Sequence, residues 1–423
     1  TGTSGLVIKN AGGAGSLTSG NGMLVISAIG GGTTAPGAFT LAAPAIAGPY
    51  EYSLYQGSID GTGPQNWYLR SDYVPEPLPP PAVPPAPPPP TSIPHYRQEV
   101  SLIAAIPPMA ALYGRHMLET LHGRRGEPDT PPGTIDLGEA SAGWGRALGL
   151  SGRHSGDPLG IYEGSEPSFE YTLMGLQAGQ DLYQYRAPDG GEDVAGLYFG
   201  IGSAWGVVEH DLPDRHFDAG TTSLTAYSLG GYWTRHNADG AYLDAVVQAT
   251  FYNFSTASRR VPDAHTSGLG LAASLEAGYP LNLGEGWILE PQAQGIVQLI
   301  DIEGFNDGSA TVGYSGTSSL LGRVGVRLAR SFSTDGLEDR PATIWGTVNL
   351  IHEFLGKPTT TFSSEDGPVP FTADLSDTRI QLGLGADITL GPSVTFFGQL
   401  GYDTTIDGSS NAVSARLGLK GRW

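Results

Sequence analysis

From about Ser141 to Trp423 one device recurs along the chain: short segments in which apolar and polar residues alternate, separated by turns rich in Gly, Asp, Asn and Pro. A period of two sends successive side chains to opposite faces of a strand. In Val413-Ser414-Ala415-Arg416-Leu417-Gly418-Leu419-Lys420-Gly421-Arg422-Trp423 one face carries Val413, Ala415, Leu417, Leu419 and Trp423 and the other Ser414, Arg416, Gly418, Lys420 and Arg422. A soluble edge strand can alternate in this way, but the contrast returns in Leu243-Asp244-Ala245-Val246-Val247-Gln248-Ala249-Thr250-Phe251 and in Arg323-Val324-Gly325-Val326-Arg327-Leu328. Polar faces repeated strand after strand suit a polar lumen within an apolar exterior. About a dozen such segments, each near the ~10 residues of a tilted membrane strand, predict a closed antiparallel barrel. The chain has no uninterrupted apolar run of the ~18 residues that a membrane helix needs, and closed barrels are the other structure that spans a bilayer. Trp205, Trp233, Tyr232 and Trp287, near strand ends, suit an aromatic girdle.

Composition agrees. Glycine supplies 63 of 423 residues without a collagen period, which suits an all-β chain with many turns. There is no cysteine, so disulfides and thiolate metal sites are excluded, and this fits passage through an oxidising compartment without covalent locking. A formal charge of −20, with 42 acids against 22 bases, argues against a nucleic-acid partner.

Upstream the character differs. Residues 1–74 hold short apolar clusters, Leu6-Val7-Ile8 and Met23-Leu24-Val25-Ile26, among Gly, Ser, Thr and Asn. Short strands with tight turns suit the coils of a parallel β-helix, and the aromatic density of Phe39, Tyr50, Tyr52, Trp67 and Tyr68 suggests a cap on its last coil. Thr1 is not an initiator Met and no charged-then-apolar leader follows it, so the sequence reads as a fragment. Residues 75–93 are largely Pro and Ala, an extended spacer and a domain boundary.

From residue 94 to about 127 the period becomes helical, with Val100, Ile103, Leu112, Leu118 and Leu121 among small and charged residues. Pro107-Pro108 predicts two helical segments, the second beginning at Pro108, with Gly123 as terminator. Its charges, Arg97, Glu99, Arg115, Glu119, Arg124 and Arg125, read either as a solvated face or as groups that meet a charged lumen.

These pieces, taken in order, resemble the pertactin-type autotransporters of Gram-negative type V secretion. Gly37-Ala38-Phe39-Thr40-Leu41, Tyr50-Glu51-Tyr52-Ser53-Leu54 and Trp67-Tyr68-Leu69 resemble a passenger end with its autochaperone cap. Tyr96-Arg97-Gln98-Glu99-Val100 and Thr120-Leu121-His122-Gly123-Arg124 resemble the pore-threading linker. Gly143-Trp144-Gly145-Arg146, Gly175-Leu176-Gln177-Ala178-Gly179-Gln180-Asp181, Gly230-Gly231-Tyr232-Trp233-Thr234, Gly240-Ala241-Tyr242-Leu243-Asp244, Leu289-Glu290-Pro291-Gln292-Ala293 and Arg323-Val324-Gly325-Val326-Arg327 resemble successive barrel strands.

The resemblance implies the end of a right-handed parallel β-helix, then a 12-stranded transmembrane barrel over residues 134–423 with the helical linker in its pore. Arg97, Glu99, Arg115, Glu119, Arg124 and Arg125 become plug candidates, facing inward candidates Asp181, Asp244, Glu290, Arg323, Arg327, Asp387 and Arg416; any single pair is expected to be weakened by lumen water to ~1 kcal/mol or less. Leu417, Leu419 and Trp423 are the expected C-terminal assembly signal, with Trp423 where relatives commonly end in Phe. Implied partners are outer-membrane lipid, the barrel-assembly machinery, periplasmic chaperones and the chain's own passenger, around a monomeric barrel. The implied role is export and surface display of that passenger; an adhesin whose barrel is only an anchor is the rival, ahead of a barrel enzyme or open porin. Some relatives self-cleave at paired Asn residues in the pore helix, and no Asn pair occurs between Pro94 and Arg125.

No catalytic, cofactor or metal site is expected in this stretch. Gly313-Tyr314-Ser315-Gly316-Thr317 lacks the last Gly of a nucleophile elbow and reads as a loop. Gly156-Asp157-Pro158-Leu159 has Pro where an esterase serine would stand, and Gly268-Leu269-Gly270-Leu271-Ala272-Ala273 lacks the βαβ setting of a dinucleotide fingerprint. His116 and His122, six positions apart, do not share a helix face as a metal pair would.

Overall fold

The computed structural model describes residues 1–74, 93–126, 142–155, 159–162, 168–334, 340–390 and 393–423. Most of the Pro-rich spacer, the Gly156-Asp157-Pro158 motif and the residues between the helices and the barrel lie outside these ranges.

Twelve strands form the wall: Ala142–His154, Phe169–Arg186, Glu192–Leu212, Arg215–His236, Tyr242–Ala257, Ala264–Gly278, Trp287–Ile302, Ser318–Thr334, Arg340–Glu353, Thr378–Thr389, Val394–Thr405 and Ser410–Arg422. Each pairs antiparallel with the next, and the last closes on the first, with Ser410 opposite His154 and Arg422 opposite Ala142. Closure leaves no unpaired edge, which a bilayer would penalise. The alternation read from the sequence sets which residues face where. Val413, Leu417 and Leu419 are more than half exposed on the outside, whereas Ser414, Arg416 and Lys420 are buried inside.

Three helices run through the barrel: α1 (Glu99–Ala104), α2 (Ile106–Leu118) and α3 (Leu121–Arg125). This departs from the two expected segments. Pro107 and Pro108 occupy the first turn of α2, which starts at Ile106 rather than Pro108, because a proline there loses no helical hydrogen bond. A second break follows Leu118, where Glu119 takes φ 56° and the Thr120 hydroxyl accepts from the Gly123 amide at 3.0 Å. Gly123 therefore lies inside α3, and Gly126, at φ 68°, ends it.

Residues 1–74 form a smaller β unit. Ser4–Leu6 pairs in parallel with Phe39–Leu41, a single coil-like ladder. Met23–Ile26, Trp67–Arg70, Tyr50–Gln56 and Ala45–Ala47 then form an antiparallel sheet around Ala45, Tyr50, Tyr52 and Leu69. Trp67 is 4% exposed, meets Phe39 edge-on at 5.4 Å and donates from Nε1 to the Thr34 hydroxyl at 3.0 Å.

The loops of one barrel rim build a further antiparallel sheet from Phe305–Asn306, Thr311–Ser315, Thr359–Phe362 and Val369–Thr372. The Gly313-Tyr314-Ser315 stretch thus sits in a strand, not the expected loop, with Ser315 opposite Thr359. The same rim carries the top of the two longest strands, Glu192–Leu212 and Arg215–His236, whose 21 and 22 residues exceed a bilayer's need.

Candidate functional site

The features that set this molecule apart lie on the barrel axis, where the helices meet the inner wall. At the rim-loop end, α1 and the residue before it make neutral contacts beside the Glu99–Arg260 ion pair. The Thr222 hydroxyl donates to the Leu102 carbonyl at 2.7 Å, Gln98 Nε2 donates to the Ala219 carbonyl at 3.2 Å, and the Ser101 hydroxyl and His210 Nδ1 share a hydrogen bond of 2.7 Å. Midway, Gly114 lets α2 approach the wall: a Cβ there would lie 2.1 Å from Gln298 Oε1.

The break between α2 and α3 leaves backbone groups that a helix would otherwise satisfy, and wall side chains take them up. Arg146 donates to the Met117 carbonyl at 2.9 Å and to the Gly123 carbonyl at 2.7 Å. Gln177 also donates to the Met117 carbonyl at 3.0 Å, and Gln294 to the Glu119 carbonyl at 2.9 Å. The Glu276 carboxylate accepts from the Leu121 amide at 2.9 Å and receives Arg323 at 3.2 Å.

Charged groups concentrate on α3. Arg124 donates twice to Asp244, at 3.1 and 2.7 Å, and the Arg125 guanidinium lies 2.5 Å from Asp181. Tyr232 stands between them, its hydroxyl donating to Asp181 at 2.5 Å and its ring facing Arg124 at 4.9 Å and Arg125 at 5.4 Å. Its burial, at 4% exposed, corrects its expected place in an exterior girdle; Trp205 and Trp233, at 40% and 39% exposed, do face outward. His122 Nε2 shares a 3.0 Å bond with Glu290, and Glu119 pairs with Arg416.

Thus the expected plug cations Arg124 and Arg125 meet the expected acids Asp244 and Asp181. Glu290 instead meets His122, read from the sequence as an ordinary polar residue. Asp387 accepts from the Trp345 indole at 2.8 Å and abuts the Gly126 turn, while Arg327 lies over the Trp345 ring at 5.2 Å. Arg115 has Arg379, Asp377 and Glu353 among its charged neighbours. Arg97 and Glu99 sit at the mouth, where Arg97 pairs with Asp307 and Glu99 meets Arg260 at 3.2 Å. Arg146 and Glu276 escaped the sequence reading; Arg146 stands on the polar phase of a strand it had identified, where parity was the available signal, whereas no segment holding Glu276 had been singled out.

The ion pairs are also drier than expected. Arg124 and Asp244 are 1% and 2% exposed, so water screens the pair far less than a surface pair, and removing one partner leaves a buried charge.

Comparison with known proteins agrees with this geometry. The Autotransporter beta-domain family matches residues 143–401, and Autochaperone Domain Type 1 matches residues 1–54. The adhesin BmaC autotransporter of Brucella suis is 26% identical over 89% of this chain and 11% of its own length. The autotransporter adhesin AIDA-I of Escherichia coli is 25% identical over 99% of this chain and 31% of its own. The chain therefore spans a tenth to a third of these relatives. Among solved structures, the transport unit of AIDA-I from Escherichia coli superposes with a TM-score of 0.63 at 18% identity, covering 77% of this chain and 99% of that one. The NalP translocator domain from Neisseria meningitidis gives a TM-score of 0.50 at 15% identity, over 77% of this chain and 99% of that domain, a likeness of fold. With more than half of its length matching the β-domain, the chain belongs to the autotransporter family and carries that family's outer-membrane translocator barrel.

Proposed function

We propose that residues 94–126 are the plug of this translocator, the segment that remains in the pore once the passenger has crossed, and that residues 1–74 are the passenger's C-terminal end, held at the cell surface. The observation that carries the reading is the direct pairing of α3 with the lumen wall through Arg124–Asp244 and Arg125–Asp181. A helix in transit gains nothing from such matched contacts; one that stays does. The longer loops lie at the rim next to residues 1–74, and outer-membrane barrels carry their longer loops outside.

No ATP site is read in the sequence, and the periplasm offers little nucleotide. Passenger coils that fold on an already formed cap bury apolar surface and resist sliding back, which supplies direction. The cap candidates Phe39, Tyr50, Tyr52, Trp67 and Tyr68 serve that role. On the same reading, periplasmic chaperones deliver the chain and the barrel-assembly machinery recognises its last strand through Leu417, Leu419 and Trp423, all of which face lipid. The stretch itself has a transport role and no catalytic one.

A second reading, an adhesin that stays displayed on its barrel, draws support from the adhesin relatives and from the seating of residues 1–74 on the rim. Single-channel conductance in a planar bilayer tests the plug. The full chain should conduct weakly and a version beginning at residue 128 strongly; large conductance from both would remove the plug.

A further inference from the structure

The lipid-facing side of the wall is not uniform. Between its sixth and ninth strands, Ala264–Gly278 and Arg340–Glu353, it carries a groove of about 460 Å³. That volume is in the range of ligand sites, roughly 300–1,000 Å³, rather than that of a packing gap. Register explains the groove. Gly295 stands opposite Gly322 and Ala277 opposite Ala293, so neighbouring strands present two pairs of small residues side by side. A Cβ added at Gly295 would meet nothing within 4 Å, so the floor is open to the exterior. Leu275 flanks the floor on one side and Val324 and Leu350 on the other, each of them half exposed.

Towards the rim the groove ends at His352. Leu275, Gly295, Gly322 and His352 form one continuous row in register, and His352 is the last residue but one of its strand, at the end that leads to the rim sheet. Earlier in that strand the exterior residues are Ile344, Val348 and Leu350, and His352 follows them with the same parity. An imidazole on this face is costly in hydrocarbon unless it lies near the headgroups and has partners. Its Nδ1 shares a 2.8 Å hydrogen bond with the Thr378 hydroxyl, and the Phe354 ring meets it edge-on at 4.5 Å. Phe354 also covers Gly322, where an added Cβ would lie 3.1 Å from the ring. With Thr378 donating to Nδ1, the ring proton is on Nε2, which can then donate to an acceptor in the groove.

We propose that this groove is a site for one molecule of the phosphorylated, multiply acylated glycolipid of the outer leaflet. An acyl chain lies over Gly295 and Gly322 between Leu275 and Leu350, and a phosphate oxygen accepts from His352 Nε2. The occupant follows from where the groove lies. It opens onto the lipid face of an outer-membrane barrel, so hydrocarbon is what reaches it, and its polar end stands at the rim, the side of the outer leaflet. The hydrophobic effect contributes little, because the chain leaves one apolar medium for another. Dispersion contacts on several sides of the chain, together with the headgroup bond, hold the lipid. The inference rests on the reading that the rim and residues 1–74 face outward.

The test extracts the full chain from outer membranes in mild detergent, washes it in lipid-free detergent and counts retained lipid per barrel by native mass spectrometry. One lipid A per barrel is expected, in excess of phospholipid. Gly295→Leu, which fills open space and leaves the strand unstrained, should lower that occupancy roughly tenfold through lost contacts along the chain. Ala249→Leu adds the same bulk to the lipid face outside the groove and should change nothing. His352→Ala should lower occupancy roughly fivefold through the lost phosphate bond. Heat-dependent gel mobility checks that each variant is a folded barrel. Phospholipid retained in place of lipid A would overturn the inference, as would occupancy unchanged by Gly295→Leu or lowered equally by Ala249→Leu. A dimer in light scattering that Gly295→Leu abolishes would give the groove to a second copy and overturn it too. Protease treatment of intact cells keeps the orientation separate. Residues 1–74 cut on intact cells, with no lipid A retained, would remove the lipid site alone; residues 1–74 protected there would turn the rim inward and remove both.

Discussion

Arg124 grips Asp244 through both terminal nitrogens, at 3.1 and 2.7 Å, and neither side chain is more than 2% exposed. Asp244 also accepts from the Thr234 hydroxyl at 2.6 Å, so its carboxylate is committed on two sides. The pair ties the last turn of the linker to the fifth barrel strand and makes the seating of α3 sensitive to single substitutions.

Asp244→Ala should destabilise the seated helix by about 3 kcal/mol, because Arg124 would be left buried against the Tyr232 ring without a counter-charge. The readouts are a rise in open-channel conductance and a lower temperature for loss of the compact form on gels. Replacing both partners, as in Arg124→Met with Asp244→Leu, should recover most of the loss. A double variant as unstable as the single one would show that shape, not charge, holds the helix.

Arg146→Ala tests the helix break itself. It removes donors to two carbonyls at one stroke; Met117 keeps its bond from Gln177, and the Gly123 carbonyl is left short of its side-chain partner, at about 1–3 kcal/mol. Faster hydrogen exchange across residues 117–125, with the wall strands unchanged, is the expected outcome.

The barrel was legible because its rule is local. In Ser410–Arg422 inside and outside follow from parity alone, and the sequence places Arg416 and Leu417 on the faces the structure gives them. The lumen's individual pairings were half legible. Arg124 and Arg125 found acids named in advance, but Arg97 found Asp307 and Glu99 found Arg260, both in loops that carry no periodicity to locate them. Tyr232 shows the limit of composition arguments: an aromatic near a strand end suits a girdle, yet its parity points inward, and the small residues Gly196 and Gly179 make room there for rings. The rim sheet of residues 305–372 was invisible for the same reason, since short Thr- and Phe-rich pieces between Gly and Pro read as turns.

At the C terminus, Trp423 is 71% exposed on the lipid side. If aromatic character rather than Phe itself is what the assembly machinery reads, Trp423→Phe should assemble as well as the parent, whereas Trp423→Ser should leave most of the chain unassembled in the periplasm. The measurement is the fraction of heat-modifiable barrel in outer-membrane fractions.

Trp67→Ala should cost the cap about 3–5 kcal/mol, through lost burial of the indole and its edge contact with Phe39. Surface exposure of an attached passenger should slow, and residues 1–74 should become protease-sensitive while the barrel stays intact. Unchanged export and resistance would count against the cap assignment.

The seating of residues 1–74 against residues 93–97 and the rim should weaken in mild acid, and His95 is the reason. Burial holds its imidazole below the ordinary value of 6.5, outweighing the opposite pull of Glu51, while Arg260 and Arg215 add to the depression and Asp72 opposes it. The sign follows from linkage. A histidine kept neutral in the folded state loses stability as pH falls, since the released chain takes up a proton near pH 6.5 that the seated form resists. The contribution is fully present above that pH and shrinks below it until the seated form also protonates. Trypsin sensitivity of residues 1–74 should therefore rise between pH 7.5 and pH 5, and His95→Gln, which keeps a neutral polar group near the Ser53 hydroxyl now 3.3 Å from Nδ1, should flatten the profile. A variant that retains the full acid sensitivity would move its origin to the neighbouring carboxylates.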